Sequence, residues 1–336
     1  MPRFFLLAAA LLISQSALAF DQQALIRIFF SVVLVRGYDA NGGLAYGSGV
    51  VVAENKVVTN CHVLRKTAKA WISQGEDTYP IQSVQADPHR DLCLLSFDRL
   101  PLKPVEIGKT TDLSKGDEVM AIGHSNGVLS PITSGGQVKS LYPFENGNVV
   151  RTNARFAMGA SGSPLFDAQG RLIGINTFKT PGRTAYFYAM PVEWLEGLDK
   201  REPQTQLPIS GQAFWELEDA KKPYFMQVAL PQLHEEWSTL QDVSLRWITA
   251  EPANAEAWYE LGVAQEGLGE TNDAEASYRK AASLDPRHSD ALFRLGVFAS
   301  QRGDETAVHQ ISTTLTQIDR EMAFAFNKAV GCEKEC

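Results

Sequence analysis

The chain has 336 residues and a formal net charge of −8, with 44% hydrophobic and 21% charged residues. This length favours two domains, since single hydrophobic cores stop growing at roughly 250–300 residues. The composition is that of an ordinary globular protein. The negative net charge argues against a nucleic-acid-binding function, which needs a basic surface to neutralise phosphates.

Residues 1–19 have the pattern of a secretory signal peptide. Arg3 precedes the apolar run FFLLAAALLI, and Ala17 and Ala19 have the A-x-A spacing of a cleavage site, so cleavage is expected after Ala19. The apolar run is about half of the roughly 20 residues that a bilayer-spanning helix needs. The mature protein is therefore expected to be exported, to a bacterial periplasm or the medium, without a stable membrane anchor.

Residues 20–200 are predicted to form an all-β domain. The segment contains many short runs rich in Val and Ile, each bounded by Gly, Asn, Asp or Pro, for example SVVLVRGYD, KVVTN, DLCLLSF and RLIGINTF. Short strands at such spacing are typical of a β-sandwich or β-barrel. The polar residues 201–213, which include two prolines, are predicted to be a linker.

Residues 214–336 have a helical pattern, and residues 255–288 resemble one tetratricopeptide repeat. The matching positions belong to its two helices and its terminal proline: Trp258, Leu261, Gly262, Ala274, Tyr278, Ala281 and Pro286. Partial repeats on either side give the minimum of about three units that bury a continuous core. Repeat arrays present concave surfaces to proteins, so we expect this region to bind a protein partner or the substrate.

Three residues in the β-rich half have the chemistry of a nucleophilic site. His62 follows the strand-like run in VVTNCHVL, and Asp91 begins the apolar strand of HRDLCLLSF. Ser161 lies in GASGSP, two residues after Gly159. The chain order His, Asp, Ser is that of chymotrypsin-type hydrolases, and it differs from the order in subtilisins and α/β-hydrolases.

Other residues of the same types are expected to be peripheral. Ser163 lacks the glycine two positions earlier whose amide a nucleophile needs, and Asp87 precedes a proline in a predicted turn. His89 lies at a strand edge and His124 in a predicted loop. The remaining histidines belong to the helical half and are expected on solvated faces: His234, His288 and His309.

Five segments resemble, in order, the motifs of exported trypsin-like serine proteases of the HtrA (Deg) type: GSGVVV…KVVTNCHVL, HRDLCLLSF, VMAIGHSNG, SGGQVKSL and GASGSPLFDAQGRLIGINT. The resemblance covers roughly residues 28–195, and five motifs in this order are specific although each alone is weak. It implies a chymotrypsin-like fold, all-β with two six-stranded β-barrels, followed by the all-α repeat domain. One departure is that repeats stand where this group typically has a PDZ domain.

The resemblance implies a serine endopeptidase that hydrolyses peptide bonds of a protein or peptide substrate. His62, Asp91 and Ser161 would form its catalytic triad, and the backbone amides of Gly159 and Ser161 its oxyanion hole. Neither a cofactor nor a metal ion is implied. Two alternatives stay open: a catalytically inactive or conditionally active protease-like binding module with the repeats as scaffold, and a hydrolase of esters.

The resemblance also implies where the substrate lies. The substrate chain is expected to add as an antiparallel strand beside Asn176, Thr177 and Phe178. The pocket for the side chain before the scissile bond is expected within residues 152–158. Small or medium apolar side chains are favoured, because Phe156 and Met158 suit apolar groups. Acidic side chains are the alternative, because Arg155 suits them.

Four cysteines allow three disulfide pairings, and the sequence does not choose among them. Pairing within each half, Cys61 with Cys93 and Cys332 with Cys336, crosses no domain boundary and is preferred. The first of these bridges would tie together the segments of the predicted His and Asp. A zinc site is less expected, because no histidine lies near the CxxxC segment at the C-terminus.

Overall fold

The computed structural model describes residues 22–180 and 185–331, except the side chains of residues 22–24. The predicted signal peptide, residues 1–19, and the cysteines Cys332 and Cys336 lie outside these residues. Within the described ranges, none of the helices is long and apolar enough to cross a membrane.

An eight-stranded antiparallel sheet forms the first part of the β-rich half, after helix α1 (Gln22–Phe29). Its strands are β1 (Val32–Tyr38), β2 (Leu44–Ala53), β3 (Lys56–Asn60), β4 (Lys69–Gln74), β5 (Asp77–Pro80), β6 (Ser83–Asp87), β7 (Leu92–Ser96) and β14 (Pro203–Gln204). Their order is β14-β6-β7-β3-β2-β1-β4-β5. The short helix α2 (Cys61–Leu64) follows β3 directly.

A closed six-stranded barrel forms the second part. Its order is β10-β13-β12-β11-β8-β9, made of β8 (Glu118–Gly123), β9 (Ile132–Phe144), β10 (Gly147–Thr152), β11 (Ser163–Asp167), β12 (Leu172–Lys179) and β13 (Phe187–Pro191). The predicted chymotrypsin-like β-barrel fold class is thus confirmed. The first unit differs from the expected six-stranded barrel because β5 extends one end of its sheet and β14 the other.

The central strands β1, β3 and β7 of the first sheet have buried residues at successive positions, so both of their faces are covered. Successive side chains of a strand point to opposite faces. Val33 belongs to the core inside the first sheet with Leu95, whereas Val32 belongs to the core that includes Ile122 of the barrel. The first sheet and the barrel are therefore packed together in a shared core.

Eight α-helices lie in the C-terminal half as far as residue 331: α3 (Tyr224–Gln227), α4 (Ala229–Leu233), α5 (Trp237–Ala250), α6 (Ala255–Gly267), α7 (Thr271–Leu284), α8 (Ser289–Gln301), α9 (Glu305–Ile318) and α10 (Arg320–Ala329). The repeat predicted at residues 255–288 is the pair α6 and α7. Gly262 is needed there, because a Cβ atom at this position would lie 2.6 Å from the ring of Tyr278.

The helical half packs against the outer surface of the barrel through aromatic rings. Tyr142 of β9 stacks on Phe225 of α3 with ring centroids 4.6 Å apart, and Trp247 of α5 lies 6.4 Å from Tyr142. All three rings are buried in one core. The predicted linker, residues 201–213, lies against the first sheet, where Ile209 is buried.

Buried charges form a second contact between the halves. Lys115, 5% exposed, reaches Glu256 at 2.5 Å and Asp290 at 3.3 Å. His288 lies 3.2 Å from the same ammonium and is fully buried, so the expectation that it lies on a solvated face was wrong. Its ring caps α8 by accepting a hydrogen bond from the Ala291 amide at 3.2 Å. Burial and the ammonium of Lys115 lower the pKa of His288.

Glu260 is predicted to make stability depend on pH. Its side chain is 1% exposed, its Oε2 has no hydrogen-bond partner among the described residues, and burial raises its pKa to about 8. The unfolded chain releases this proton near pH ~4.3, whereas the folded chain keeps it to higher pH. Stability therefore falls as the pH rises from the unfolded pKa through the folded one.

Glu260→Gln removes this charge, so the variant is expected to exceed the parent in unfolding free energy at pH 9 by about 1–3 kcal/mol. At pH 4, below both pKa values, the two proteins should differ much less. Urea denaturation at the two pH values measures the difference, with Glu202→Gln as a control at an exposed carboxylate. If the variant and the parent lose the same unfolding free energy between pH 4 and pH 9, the prediction is wrong.

Candidate active site

His62 and Asp91 are brought together by the pairing of two neighbouring strands. Asn60 at the end of β3 is opposite Leu92 at the start of β7, so the residues just beyond these positions are adjacent. His62 Nδ1 lies 2.6 Å from Asp91 Oδ2, and the His62 amide donates to Asp91 Oδ1 at 2.8 Å. Both carboxylate oxygens of Asp91 therefore hold the histidine.

The Asp91 backbone is also held. Its φ of 58° is a left-handed conformation that costs energy for a residue other than glycine. Its carbonyl accepts hydrogen bonds from the Cys61 amide at 3.1 Å and from Asn60 Nδ2 at 2.9 Å. The disulfide predicted between Cys61 and Cys93 is confirmed, and it joins α2 to β7 on either side of these contacts.

Ser161 lies in a tight loop whose glycines have left-handed backbones. Gly159 has a φ of 92° and Gly162 a φ of 85°, which side chains rarely allow. A Cβ atom at Gly162 would lie 2.9 Å from the Asn60 amide. A Cβ atom at Gly47 would lie 2.6 Å from the side chain of Val63 and 3.1 Å from the Ser161 carbonyl. The Ser161 loop therefore lies against the segment of His62.

Two amides of this loop are available to an incoming group. The Met158 carbonyl accepts a hydrogen bond from the Asn126 amide at 2.5 Å. Because the carbonyl and amide of a trans peptide point in opposite directions, the Gly159 N–H points away from Asn126. Neither this N–H nor that of Ser161 has a hydrogen-bond acceptor within residues 22–180 and 185–331.

Ser48 of β2 fixes the loop, and the sequence reasoning missed it. Its Oγ donates to the Gly159 carbonyl at 2.9 Å and accepts from the His124 amide at 2.9 Å. Its own amide donates to the Ser161 carbonyl at 2.8 Å. The signal was a serine between two glycines at the start of an apolar strand, in GSGVVV.

The residues predicted to bind substrate differ in what their side chains do. Asn176 and Thr177 are buried, and their side chains bond to Ser163 Oγ and Asn60 Nδ2, each at 3.0 Å. At residues 177–179, β12 extends past its pairing with β11 and pairs only with β13 among the described strands. The backbone edge of this segment is therefore the part that an added strand could use.

The predicted pocket segment has a different character at each position. Phe156 packs edge-on against Phe187 of β13 with ring centroids 5.0 Å apart. Met158 is 76% exposed, and Arg155 is also exposed. The predicted pocket segment thus has one aromatic contact, between Phe156 and Phe187, and two exposed side chains, of which Arg155 carries a positive charge.

The rival residues have structural partners. Ser163 is buried in β11 and accepts a hydrogen bond from Asn176. His124 is buried, contacts the Val128 carbonyl through Nδ1 at 2.8 Å, and its pKa is lowered by burial. His89 is exposed beside Glu145.

Trp215 also contacts the His–Asp pair, and no sequence signal pointed to it. It lies in a short 3₁₀ turn, residues 214–216, between the β-rich and helical halves. Its indole N–H donates to Asp91 Oδ2 at 3.3 Å, and its ring meets the His62 ring edge-on with centroids 5.6 Å apart. It also stacks on Phe178 at 5.2 Å. A cavity of about 530 Å³ begins at Phe178 and Trp215 and continues to Val243 of α5.

Known families match both halves of the chain. Residues 47–175 match the trypsin-like peptidase domain, and residues 255–288 match the tetratricopeptide repeat. A structure of the Rv3671c protease of M. tuberculosis in its active form has the same fold, with a TM-score of 0.50, 19% identity and coverage of 56% of this chain and 88% of that one. The fold thus defines a chymotrypsin-like protease domain joined to helical repeats.

Curated relatives place the domain more narrowly. Serine protease HTRA2 of Bos taurus is 33% identical over 40% of this chain and 32% of its own length. A probable periplasmic DegP-like serine endoprotease of Rickettsia prowazekii is 34% identical over 39% and 28%. The anti-sigma-I factor RsgI9 of Acetivibrio thermocellus is 31% identical over 44% and 21%. The chain thus has a trypsin-like peptidase domain similar to those of HtrA-type proteases, followed by a tetratricopeptide repeat. Its matches span a fifth to a third of the length of these relatives.

Ser48→Ala is expected to loosen the Ser161 loop, because it leaves the Gly159 carbonyl and the His124 amide without their hydrogen bonds. The unfolding free energy should fall by about 1–3 kcal/mol in chemical denaturation. Ser73→Ala is the matched control in the same sheet, since Ser73 is buried with no partner for its Oγ in the described part of the chain. The prediction is wrong if both variants lose equal stability.

Proposed function

We propose that this chain is an exported serine endopeptidase that cleaves peptide bonds of protein or peptide substrates. The observation that carries the proposal is the His62–Asp91 pair, with a 2.6 Å contact between Nδ1 and Oδ2, beside a glycine loop that holds Ser161. Two amides of this loop have no acceptor among the residues that the structure describes. The similarity to HtrA-type proteases supports the same activity.

The proposed reaction is acyl transfer. Ser161 Oγ attacks the carbonyl carbon of the substrate while His62 Nε2 takes its proton, and His62 later returns the proton to the leaving amine. Asp91 holds Nδ1–H and stabilises the imidazolium that forms. The amides of Gly159 and Ser161 donate to the oxyanion, where the loss of one donor typically costs about 3–4 kcal/mol. Water then releases the acyl group by the same steps.

The substrate is proposed to bind as an extended strand along the backbone edge of residues 177–179. The side chain before the scissile bond would enter the pocket beside Phe156 and Phe187, whose rings suit small or medium apolar groups. The repeat region would recruit a protein partner or the substrate. A periplasmic or secreted location agrees with the disulfide and with the relatives named as periplasmic.

A fluorophosphonate probe tests the proposal directly. The parent protein, without residues 1–19, should be labelled and should cleave a denatured protein, and Ser161→Ala should do neither while keeping its thermal unfolding temperature. Ser163→Ala is the matched control at the neighbouring serine, and it should still be labelled. A folded parent that is neither labelled nor active would leave the binding-module alternative in place.

The preference for apolar side chains has its own test. Arg155→Ala removes the exposed cation of the predicted pocket segment, and the cleavage profile on a peptide library should change by less than about twofold at the position before the cut. Phe156→Ala should broaden the profile towards larger side chains, because it removes one of the two facing rings. If Arg155→Ala abolishes cleavage after Asp or Glu, acidic residues are the true preference.

A further inference from the structure

We propose that Trp215 is a positioning residue for the His62–Asp91 pair, supplied by the segment that joins the protease domain to the helical half. This inference rests on the proposed function. It goes beyond that function, because it assigns part of the site geometry to a residue outside the strands and loops of the protease fold.

The contacts of Trp215 are with the groups whose orientation matters for proton transfer. Its indole N–H and His62 Nδ1 both bond to Asp91 Oδ2, at 3.3 and 2.6 Å. The His62 amide donates a hydrogen bond to Asp91 Oδ1. With donors on both oxygens, the carboxylate cannot rotate without losing a hydrogen bond to a buried charge, which is costly. The ring of Trp215 also meets the His62 ring edge-on, with centroids 5.6 Å apart.

Trp215 is itself fixed by its two sequence neighbours. Glu216 forms a two-pronged ion pair with Arg65 of the first sheet region, at 2.5 and 2.8 Å. Phe214 is buried between Phe144 and Trp194 of the barrel region, with ring centroids 5.2 and 5.9 Å away. The residue between these anchors has little freedom, so its indole is already in place before a substrate binds.

These contacts predict separate effects for the hydrogen bond and the ring. Trp215→Phe keeps an aromatic ring beside His62 and Phe178 but removes the donor, so kcat should fall about 3- to 10-fold with KM changed less than twofold. Trp215→Ala also removes the packing, and kcat should fall by a further factor of about ten. The rate of fluorophosphonate labelling should fall in parallel, since this small probe does not need the strand edge.

A control variant and a spectroscopic measurement separate a positioning role of Trp215 from a nonspecific effect of the substitution on the fold. Trp71→Phe changes a partly exposed tryptophan on β4, beside Tyr38, and should leave kcat, KM and labelling unchanged. The proton of the His62 Nδ1–Asp91 hydrogen bond should give a low-field NMR signal that shifts in Trp215→Phe and broadens in Trp215→Ala. This signal reports the pair whether or not the protein is active.

Each result of these experiments supports or overturns the positioning role of Trp215. A change in KM alone would make Trp215 a substrate-binding wall, and a gain of activity in Trp215→Ala would make it an inhibitory cover; either result overturns the proposal. Unchanged kcat, labelling and NMR signal in Trp215→Phe would also overturn it. A parent that shows the NMR shift on substitution but is neither labelled nor active would refute the proposed protease function and leave the positioning contact standing.

Discussion

The buried carboxylate of Asp91 is the group on which the geometry of the candidate site depends. It is fully buried and accepts hydrogen bonds from the His62 amide, His62 Nδ1 and the Trp215 indole. An ionised carboxylate in such a place is stable only if its oxygens are hydrogen-bonded. The donors that satisfy this charge are therefore the same groups that orient the imidazole, and fold stability and site geometry have a common cause.

The second constraint is the close approach of the Ser161 loop to the first sheet. Gly47, Gly159 and Gly162 lie where a Cβ atom would come within 3 Å of neighbouring atoms. Ser48 joins the two surfaces by bonding to both Gly159 and Ser161. Ser161 belongs to the barrel side and His62 to the sheet side, so this contact sets the position of one relative to the other.

The features that depend on local motifs could be predicted from the sequence. The features that depend on contacts between residues far apart in the chain could not. The segments around His62, Asp91 and Ser161 have short motifs, and strand pairing then brings the first two together. His288 was misplaced because its buried partner Lys115 is 173 positions away in the chain, and a helical pattern does not reveal such a partner. Trp215 lies in a turn without periodicity, so only the packing of Phe214 and Glu216 around it reveals where its indole points.

The helical half is attached to the site as well as to the barrel. Phe225 of α3 contacts Phe144 of β9, and Phe144 contacts Phe214, with ring centroids 6.2 and 5.2 Å apart. These rings lead without a gap to Trp215 and so to Asp91. Packed side chains of this kind transmit small displacements only when an element has two discrete arrangements. The Arg65–Glu216 ion pair anchors the residue that follows Trp215 to the first sheet region, so a displacement of Trp215 relative to His62 would strain this pair.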